Sequence, residues 1–126
     1  MVIDSSALIA LLMHEPGWER VMAAVTAAVA PTTILSELVG YFAKNDLDLA
    51  ELRSSLRELD LDFVALDHET AWLAGEMEPA TRAAGLSLAD RSCLALARRL
   101  DRVALTGDRT WIRVARDLGI EVELFR

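Results

Sequence analysis

The chain has a single cysteine, only 6% aromatic residues, and no apolar run as long as a membrane span. One cysteine excludes an internal disulfide framework and favours a cytoplasmic protein. Crossing a bilayer takes roughly 18–20 consecutive apolar residues. The N-terminus also lacks a basic segment before its apolar residues, which Asp4 interrupts. The sequence therefore predicts neither a signal peptide nor a membrane protein.

The motifs of several common enzyme classes are also missing. The sequence contains no G-x-G-x-x-G or G-K-[ST] phosphate-binding loop and no G-x-S-x-G nucleophile elbow. Cys93 lies in an apolar helical run, which favours a core position over a nucleophilic role. His14 and His68 lie near predicted helix ends, and we interpret both as surface residues.

The net charge of −7 is concentrated in the first half of the chain. Residues 1–62 carry ten acidic and four basic residues, whereas residues 63–126 carry ten acidic residues and nine arginines. This balance argues against a general nucleic-acid coat protein. We interpret most of the acids as solvated surface residues. This interpretation is compatible with an enzyme that binds RNA through a local arginine patch.

Short apolar strands alternate with helical patterns along the whole chain. Its 126 residues suit one domain, residues 1–126. Alternation of this kind indicates an α/β protein with a central parallel sheet covered on both faces, a three-layer α/β/α domain. Thr32 or Thr33, Asp67 and Ser87 are predicted to cap helices. The predicted strands are Val2–Ile3, a short strand or turn at Val29–Pro31, Phe63–Leu66, Val103–Thr106 and a last strand at residues 122–125.

Four acids stand where a strand ends or a helix begins: Asp4, Glu37, Asp90 and Asp108. Each has an ordinary interpretation of its own. Asp4 suits a surface strand end and Glu37 an exposed helix face. Asp90 lies three residues after Ser87, the spacing of a capping box, and Asp108 suits an N-cap.

Considered together, the four acids predict a metal site. Asp4 and Asp108 end strands of one parallel sheet, and we place Glu37 and Asp90 in first turns of helices, which begin at the same edge. Carboxylates crowded in this way repel one another unless a cation intervenes. Oxygen ligands without His or Cys suit Mg²⁺ or Mn²⁺ rather than zinc.

Four further residues next to these acids are candidates for supporting roles. The hydroxyls of Ser6 and Thr106 are placed to orient a carboxylate or a bound water. Arg91 and Arg109 directly follow two of the acids and are candidates for contacts to an RNA backbone. Helix capping, strand propensity and a solvated helix face are the alternative interpretations of the four.

The series VIDSSALIALL, SELVG, LSLADRSCLALA and LTGDRTW resembles the PIN-domain ribonucleases. Among them the chain looks most like the VapC-type toxins of bacterial type II toxin–antitoxin (VapBC) pairs. The resemblance implies an endoribonuclease in which Asp4, Glu37, Asp90 and Asp108 hold Mg²⁺ or Mn²⁺ and act in catalysis. It also implies a VapB-type antitoxin that blocks the site with an arginine, a toxin homodimer, and tRNA or rRNA as substrate. Gly107 departs from the family, which often has Ala there.

The leading hypothesis is therefore hydrolysis of RNA by metal-activated water, which leaves a 5′-phosphate and a 3′-hydroxyl. One alternative is a PIN-fold RNA-processing nuclease outside any toxin–antitoxin pair. Another is a non-catalytic binding module whose acids receive arginines of a partner. A phosphatase on the same type of sheet is disfavoured, because position 6 is not a second Asp and no catalytic lysine is evident.

Overall fold

The computed structural model describes residues 1–126, with five strands connected in sequence by one to three of the eight α-helices. The strands are β1 (Val2–Ile3), β2 (Ala28–Pro31), β3 (Leu61–Val64), β4 (Ala104–Thr106) and β5 (Val122–Leu124). The helices are α1 (Ser5–Met13), α2 (Trp18–Val25), α3 (Thr32–Lys44), α4 (Leu49–Glu58), α5 (His68–Glu76), α6 (Glu78–Thr81), α7 (Leu88–Leu100) and α8 (Thr110–Asp117). None of the eight combines the length and apolar character that a membrane span requires.

All five strands are parallel and lie in the order β3-β2-β1-β4-β5. Val2 of β1 pairs with Val29 of β2 on one side and with Ala104 of β4 on the other. Helix α7 packs against β1, β2 and β4, and α3 packs against β2 and β3 and contacts both α1 and α7. The predicted α/β class with a central parallel sheet is confirmed. After β1 the chain adds β2 and β3 on one side of the sheet and then β4 and β5 on the other side. The candidate site lies at this reversal, between β1 and β4.

The core is aliphatic, as the low aromatic content predicts. It forms one cluster of 28 buried residues that includes β1, Ala104 and Leu105 of β4, and the inner side of α7. Cys93 is fully buried in this cluster, which confirms its predicted core position. The two histidines are exposed, also as predicted.

Two local predictions at the β2–β3 edge are wrong. Strand β3 covers Leu61–Val64 rather than Phe63–Leu66, because its four residues pair one to one with the four residues of β2. Neither threonine caps α3, because Pro31 is the N-cap residue and Thr32 begins the helix. The Thr32 hydroxyl instead accepts a hydrogen bond from the backbone N–H of Leu66 (3.2 Å), just beyond the end of β3.

The predicted caps of the later helices are confirmed. The Asp67 carboxylate accepts from the Thr70 N–H (2.8 Å) at the start of α5. Ser87 and Asp90 form a reciprocal capping box at the start of α7. That box sets the position of Asp90 at the N-terminal end of the helix, where the backbone N–H groups favour negative charge.

Candidate functional site

The candidate site lies at the carboxyl edge of the sheet, beside the point where the strand order reverses. In open parallel sheets this crevice is where ligands bind. Strand β1 ends at Ile3, and Asp4 follows as the N-cap residue of α1. The neighbouring strand β4 ends at Thr106. The first acid of the chain thus stands beside the crevice because β1 is the central strand of the sheet.

Three of the four predicted acids converge there. Asp4, Glu37 and Asp90 each present a carboxylate oxygen, and these oxygens lie within 4.8 Å of one another. Asp4 is only 3% exposed, and the other two are half-buried. Glu37 lies in the second turn of α3 rather than in the first turn as predicted, because the helix already begins at Thr32.

Two hydroxyl groups hold the Asp4 carboxylate in place. Ser6 Oγ and Thr106 Oγ1 donate to Asp4 Oδ2, at 2.7 and 2.8 Å. Ser6 Oγ in turn accepts from the backbone N–H of Gly107 (2.9 Å). Both residues stand where the sequence places supporting groups, and two donors on one oxygen restrict rotation of the carboxylate.

Two other serines hold Glu37, and sequence reasoning assigned neither of them to the site. Ser5 Oγ donates to Glu37 Oε2 (2.8 Å) and Ser87 Oγ donates to Glu37 Oε1 (3.1 Å). For Ser87 the sequence predicted only a helix cap. The role of both serines at the site depends on α1, α3 and α7 meeting at one point, which no local pattern reveals.

Asp108 does not join the three converging carboxylates. Its side chain is exposed, and Oδ1 accepts from the Thr110 N–H (2.8 Å) at the start of α8. Its backbone N–H donates to Thr106 Oγ1 (3.1 Å), the same hydroxyl that donates to Asp4. Asp108 is therefore linked to the acidic cluster through Thr106, and its carboxylate stands apart from it.

No positive side chain neutralises the acidic cluster. The five ion pairs of the structure involve none of its three acids. Arg91 is half-buried, its Nη1 donates to the Ala74 carbonyl (3.1 Å), and its buried Nε has no hydrogen-bond partner. Arg109 is exposed just before α8.

Burial and mutual repulsion raise the pKa of two of the acids. Burial raises the pKa of Asp4, although the hydroxyls of Ser6 and Thr106 oppose the shift. Burial raises the pKa of Asp90 to about 6; the hydrogen bond from the Ser87 N–H opposes this shift, and the charges of Asp4 and Glu37 add to it. An uncompensated set of three hard oxygen donors fits a hard divalent cation.

The raised pKa of Asp90 predicts a pH-dependent effect of removing its charge. Because the folded state holds the Asp90 proton more tightly than the unfolded state, its contribution to stability is fully present below pH 3.8 and is lost as the pH rises through about 6. In metal-free buffer, Asp90→Asn is therefore expected to gain stability relative to wild type between pH 4 and pH 7. The asparagine carbonyl retains the acceptor for the Ser87 N–H. Urea unfolding of both proteins across this range measures the difference.

Asp67 provides a control of opposite sign. The Thr70 N–H and the Arg99 guanidinium hold the pKa of Asp67 well below its usual value. Its contribution to stability is therefore present above its unfolded-state pKa and is lost at lower pH. Asp67→Asn should lose stability at pH 7, and its difference from wild type should shrink only as the pH falls below 3.8 toward the lowered pKa of Asp67. If the stability difference from wild type changes with pH in the same direction for Asp90→Asn and for Asp67→Asn, the proposed environment of Asp90 is wrong.

A protein-family model and several solved structures match this chain. A family model for the PIN domain matches residues 1–117. A search of curated protein sequences finds no match. Among solved structures, a DNA-bound VapBC from Salmonella typhimurium is similar, with 16% identity, 99% of this chain and 97% of that chain covered, and a TM-score of 0.72.

Two further solved structures share the fold at similarly low sequence identity. A toxin–antitoxin complex from Klebsiella pneumoniae has 15% identity, covers 87% of this chain and 88% of its own, and has a TM-score of 0.71. FitAcB from Neisseria gonorrhoeae has 18% identity, with 96% and 94% covered and a TM-score of 0.69. These likenesses concern the fold, and they extend over nearly the whole length of both chains.

Proposed function

This chain belongs to the PIN domain family, and we propose that it is a metal-dependent endoribonuclease acting as the toxin of a VapBC-type toxin–antitoxin pair. The observation that carries the proposal is the convergence of Asp4, Glu37 and Asp90 at the strand-order reversal, without a positive side chain to neutralise them. Three carboxylates without a counter-charge are costly to maintain unless a cation binds there.

In this proposal the three carboxylates hold Mg²⁺ or Mn²⁺. Such an ion, when bound, polarises a phosphate oxygen and lowers the pKa of a water molecule toward neutrality. The chain supplies the orientation: two hydroxyls hold one oxygen of Asp4, and one serine holds each oxygen of Glu37. A carboxylate oxygen has more than one lone pair, so these hydrogen bonds leave capacity for a metal.

Asp108 and Arg109 complete the proposed site at its open side. Both are exposed in the short segment between Gly107 and the first residue of α8, Thr110. We assign Asp108 to an outer position in the acidic site, linked to Asp4 through Thr106. The exposed guanidinium of Arg109 suits an RNA phosphate, whereas Arg91 is already engaged with α5.

The partner of the proposed toxin is a VapB-type antitoxin. Solved structures with this fold are toxin–antitoxin complexes, which supports a protein partner for the chain. A guanidinium from that partner would pair with these carboxylates and exclude the cation, because both compete for the same oxygens. By the same resemblance we expect the toxin to be a homodimer in solution.

A cleavage assay tests the activity. The purified chain is expected to cut tRNA or rRNA fragments with Mg²⁺ or Mn²⁺, to leave 5′-phosphate ends, and to stop when EDTA removes the metal. Cleavage that is unaffected by EDTA would contradict the metal-dependent mechanism. Absence of cleavage together with tight binding of an arginine-bearing peptide would support the binding-module alternative instead.

The neighbouring reading frame separates the toxin from a general RNA-processing nuclease. We expect a short adjacent gene whose product has a DNA-binding N-terminal segment and co-purifies with this chain. Adding that product should suppress cleavage. A nuclease that cuts RNA but has no such neighbour would fit the RNA-processing alternative.

A further inference from the structure

The Phe125 ring fits between Gly107, in the loop after β4, and Gly17, just before α2. It is 6% exposed and lies just after β5. A Cβ atom added to Gly107 would lie 2.9 Å from Phe125 Cε1 and 3.0 Å from Cζ. A Cβ atom added to Gly17 would lie 2.8 Å from the Phe125 carbonyl oxygen and 2.9 Å from Cδ2. Atoms do not pack this closely, so the ring and a side chain at either position exclude each other.

Gly107 is required by the ring and not by its own backbone. Gly17 has a φ of +92°, which by itself favours glycine, whereas the φ of Gly107 lies outside this left-handed region. An alanine at 107 would therefore meet no backbone strain, only the Phe125 ring and the Arg126 side chain. This contact explains why glycine stands at position 107.

The loop under the ring carries the groups that orient Asp4. The Phe125 N–H donates to the Thr106 carbonyl (3.2 Å), which ties the aromatic residue to the end of β4. The Gly107 N–H donates to Ser6 Oγ, and Ser6 and Thr106 both donate to Asp4 Oδ2. A displacement of the loop by a few tenths of an ångström would therefore be transmitted to the buried carboxylate.

Arg126 closes the outer side of the ring. Its guanidinium carbon lies 4.9 Å from the Phe125 ring centroid, and its Nη1 donates to Glu15 Oε2 (2.9 Å) between α1 and α2. The ring is thus held against Gly107 on one side and covered by an ion-paired arginine on another. It cannot move away from the loop without disturbing these contacts.

We propose that Phe125 is a positioning residue that sets the Thr106–Gly107–Asp108 loop and, through Ser6 and Thr106, the Asp4 carboxylate. The consequence for turnover rests on the proposed nuclease function. The consequence for cation binding does not require RNA cleavage. The two readouts can therefore be measured separately.

Three variants test the proposal: Gly107→Ala, Phe125→Leu and the double variant. Leucine lacks the Cε1 and Cζ atoms that a Cβ at position 107 would meet. Gly107→Ala is expected to weaken Mn²⁺ affinity and kcat by about 10–100-fold, the effect typical of losing an outer-shell contact in a metal site. The double variant should recover about tenfold of that loss, since coupled neighbours depart from additivity.

Mn²⁺ calorimetry on each folded variant is the primary measurement, with RNA turnover as the second. Gly75→Ala is the matched control, because a Cβ added there meets no atom within 4 Å beyond its chain neighbours and its own helix backbone, and it should match wild type in both. A merely structural ring would lower the melting temperature of Gly107→Ala and leave Mn²⁺ affinity unchanged. That outcome would overturn the proposal. So would a double variant whose loss of Mn²⁺ affinity equals the product of the losses in the two single variants.

Folding failure of Gly107→Ala is also informative. In that case Phe125→Leu alone must weaken Mn²⁺ affinity severalfold. If Phe125→Leu binds Mn²⁺ as tightly as wild type does, the proposal is overturned. If wild type binds Mn²⁺ but cuts no RNA, the nuclease function fails while the coupling between Phe125 and the Asp4 site is still decided by calorimetry.

Discussion

Asp4→Asn is expected to slow RNA cleavage by more than about 100-fold, because loss of an outer-shell partner alone costs 10–100-fold and Asp4 is proposed as a direct ligand. The asparagine carbonyl can still accept from Ser6 and Thr106, so the hydrogen bonds that hold the side chain survive. What disappears is the charge. Single-turnover cleavage rates in saturating Mn²⁺ and in saturating Mg²⁺ measure the effect.

The same variant should not be less stable than wild type above neutral pH. Burial raises the pKa of Asp4, so its contribution to stability is greatest at low pH and is lost as the carboxyl ionises. Melting temperatures at pH 8 in EDTA check this expectation. Asp62→Asn, which removes an exposed acid from β3, serves as the control and should change neither rate nor stability. Equal cleavage by Asp4→Asn and wild type would refute the catalytic assignment.

Saturating divalent metal is expected to raise the melting temperature of the wild-type protein by about 10 °C. A ligand at 100 times its Kd stabilises the native state by about 2.7 kcal/mol, and a chain of this length gains a few degrees per kcal/mol. The physical reason is that the cation relieves the repulsion among three carboxylates that have no other counter-charge. Thermal scans over a titration of Mg²⁺ and of Mn²⁺ measure the shift.

Variants of the acidic cluster separate site binding from general salt effects. Asp4→Asn and Asp90→Asn should each lose most of the metal-induced shift, whereas Asp62→Asn should keep it. Matched additions of KCl control for ionic strength, which acts on surface charges everywhere. A shift that is the same size in wild type and in Asp4→Asn would mean that the metal binds elsewhere.

The fold class and the position of Asp4 could be predicted from sequence because both follow from local patterns. Short apolar strands between amphipathic helices specify a parallel sheet, and a parallel sheet gathers strand ends at one edge. Asp4 lies at that edge for this reason alone. Even the capping box at Ser87 and Asp90 is local, since both partners lie within one helical turn.

The prediction was less accurate where contacts join distant segments. Glu37 was placed one turn too early, and Asp108 was expected to converge with the others although its carboxylate binds the Thr110 N–H. The serines that hold Glu37 come from two helices separated from it by 32 and 50 residues. No periodicity marks such pairs, because they depend on how the helices meet.

The sequence by itself determined the alternation of strands and helices, the aliphatic core and the placing of Asp4, Asp90 and Asp108 at element boundaries, since each depends on neighbours along the chain. Only the tertiary structure decided that Asp4, Glu37 and Asp90 converge while Asp108 stands apart, and that Phe125 excludes a side chain at Gly107. These outcomes depend on strand order, helix packing and ångström-scale contacts between residues far apart in sequence. Such contacts arise only when the whole sheet has assembled.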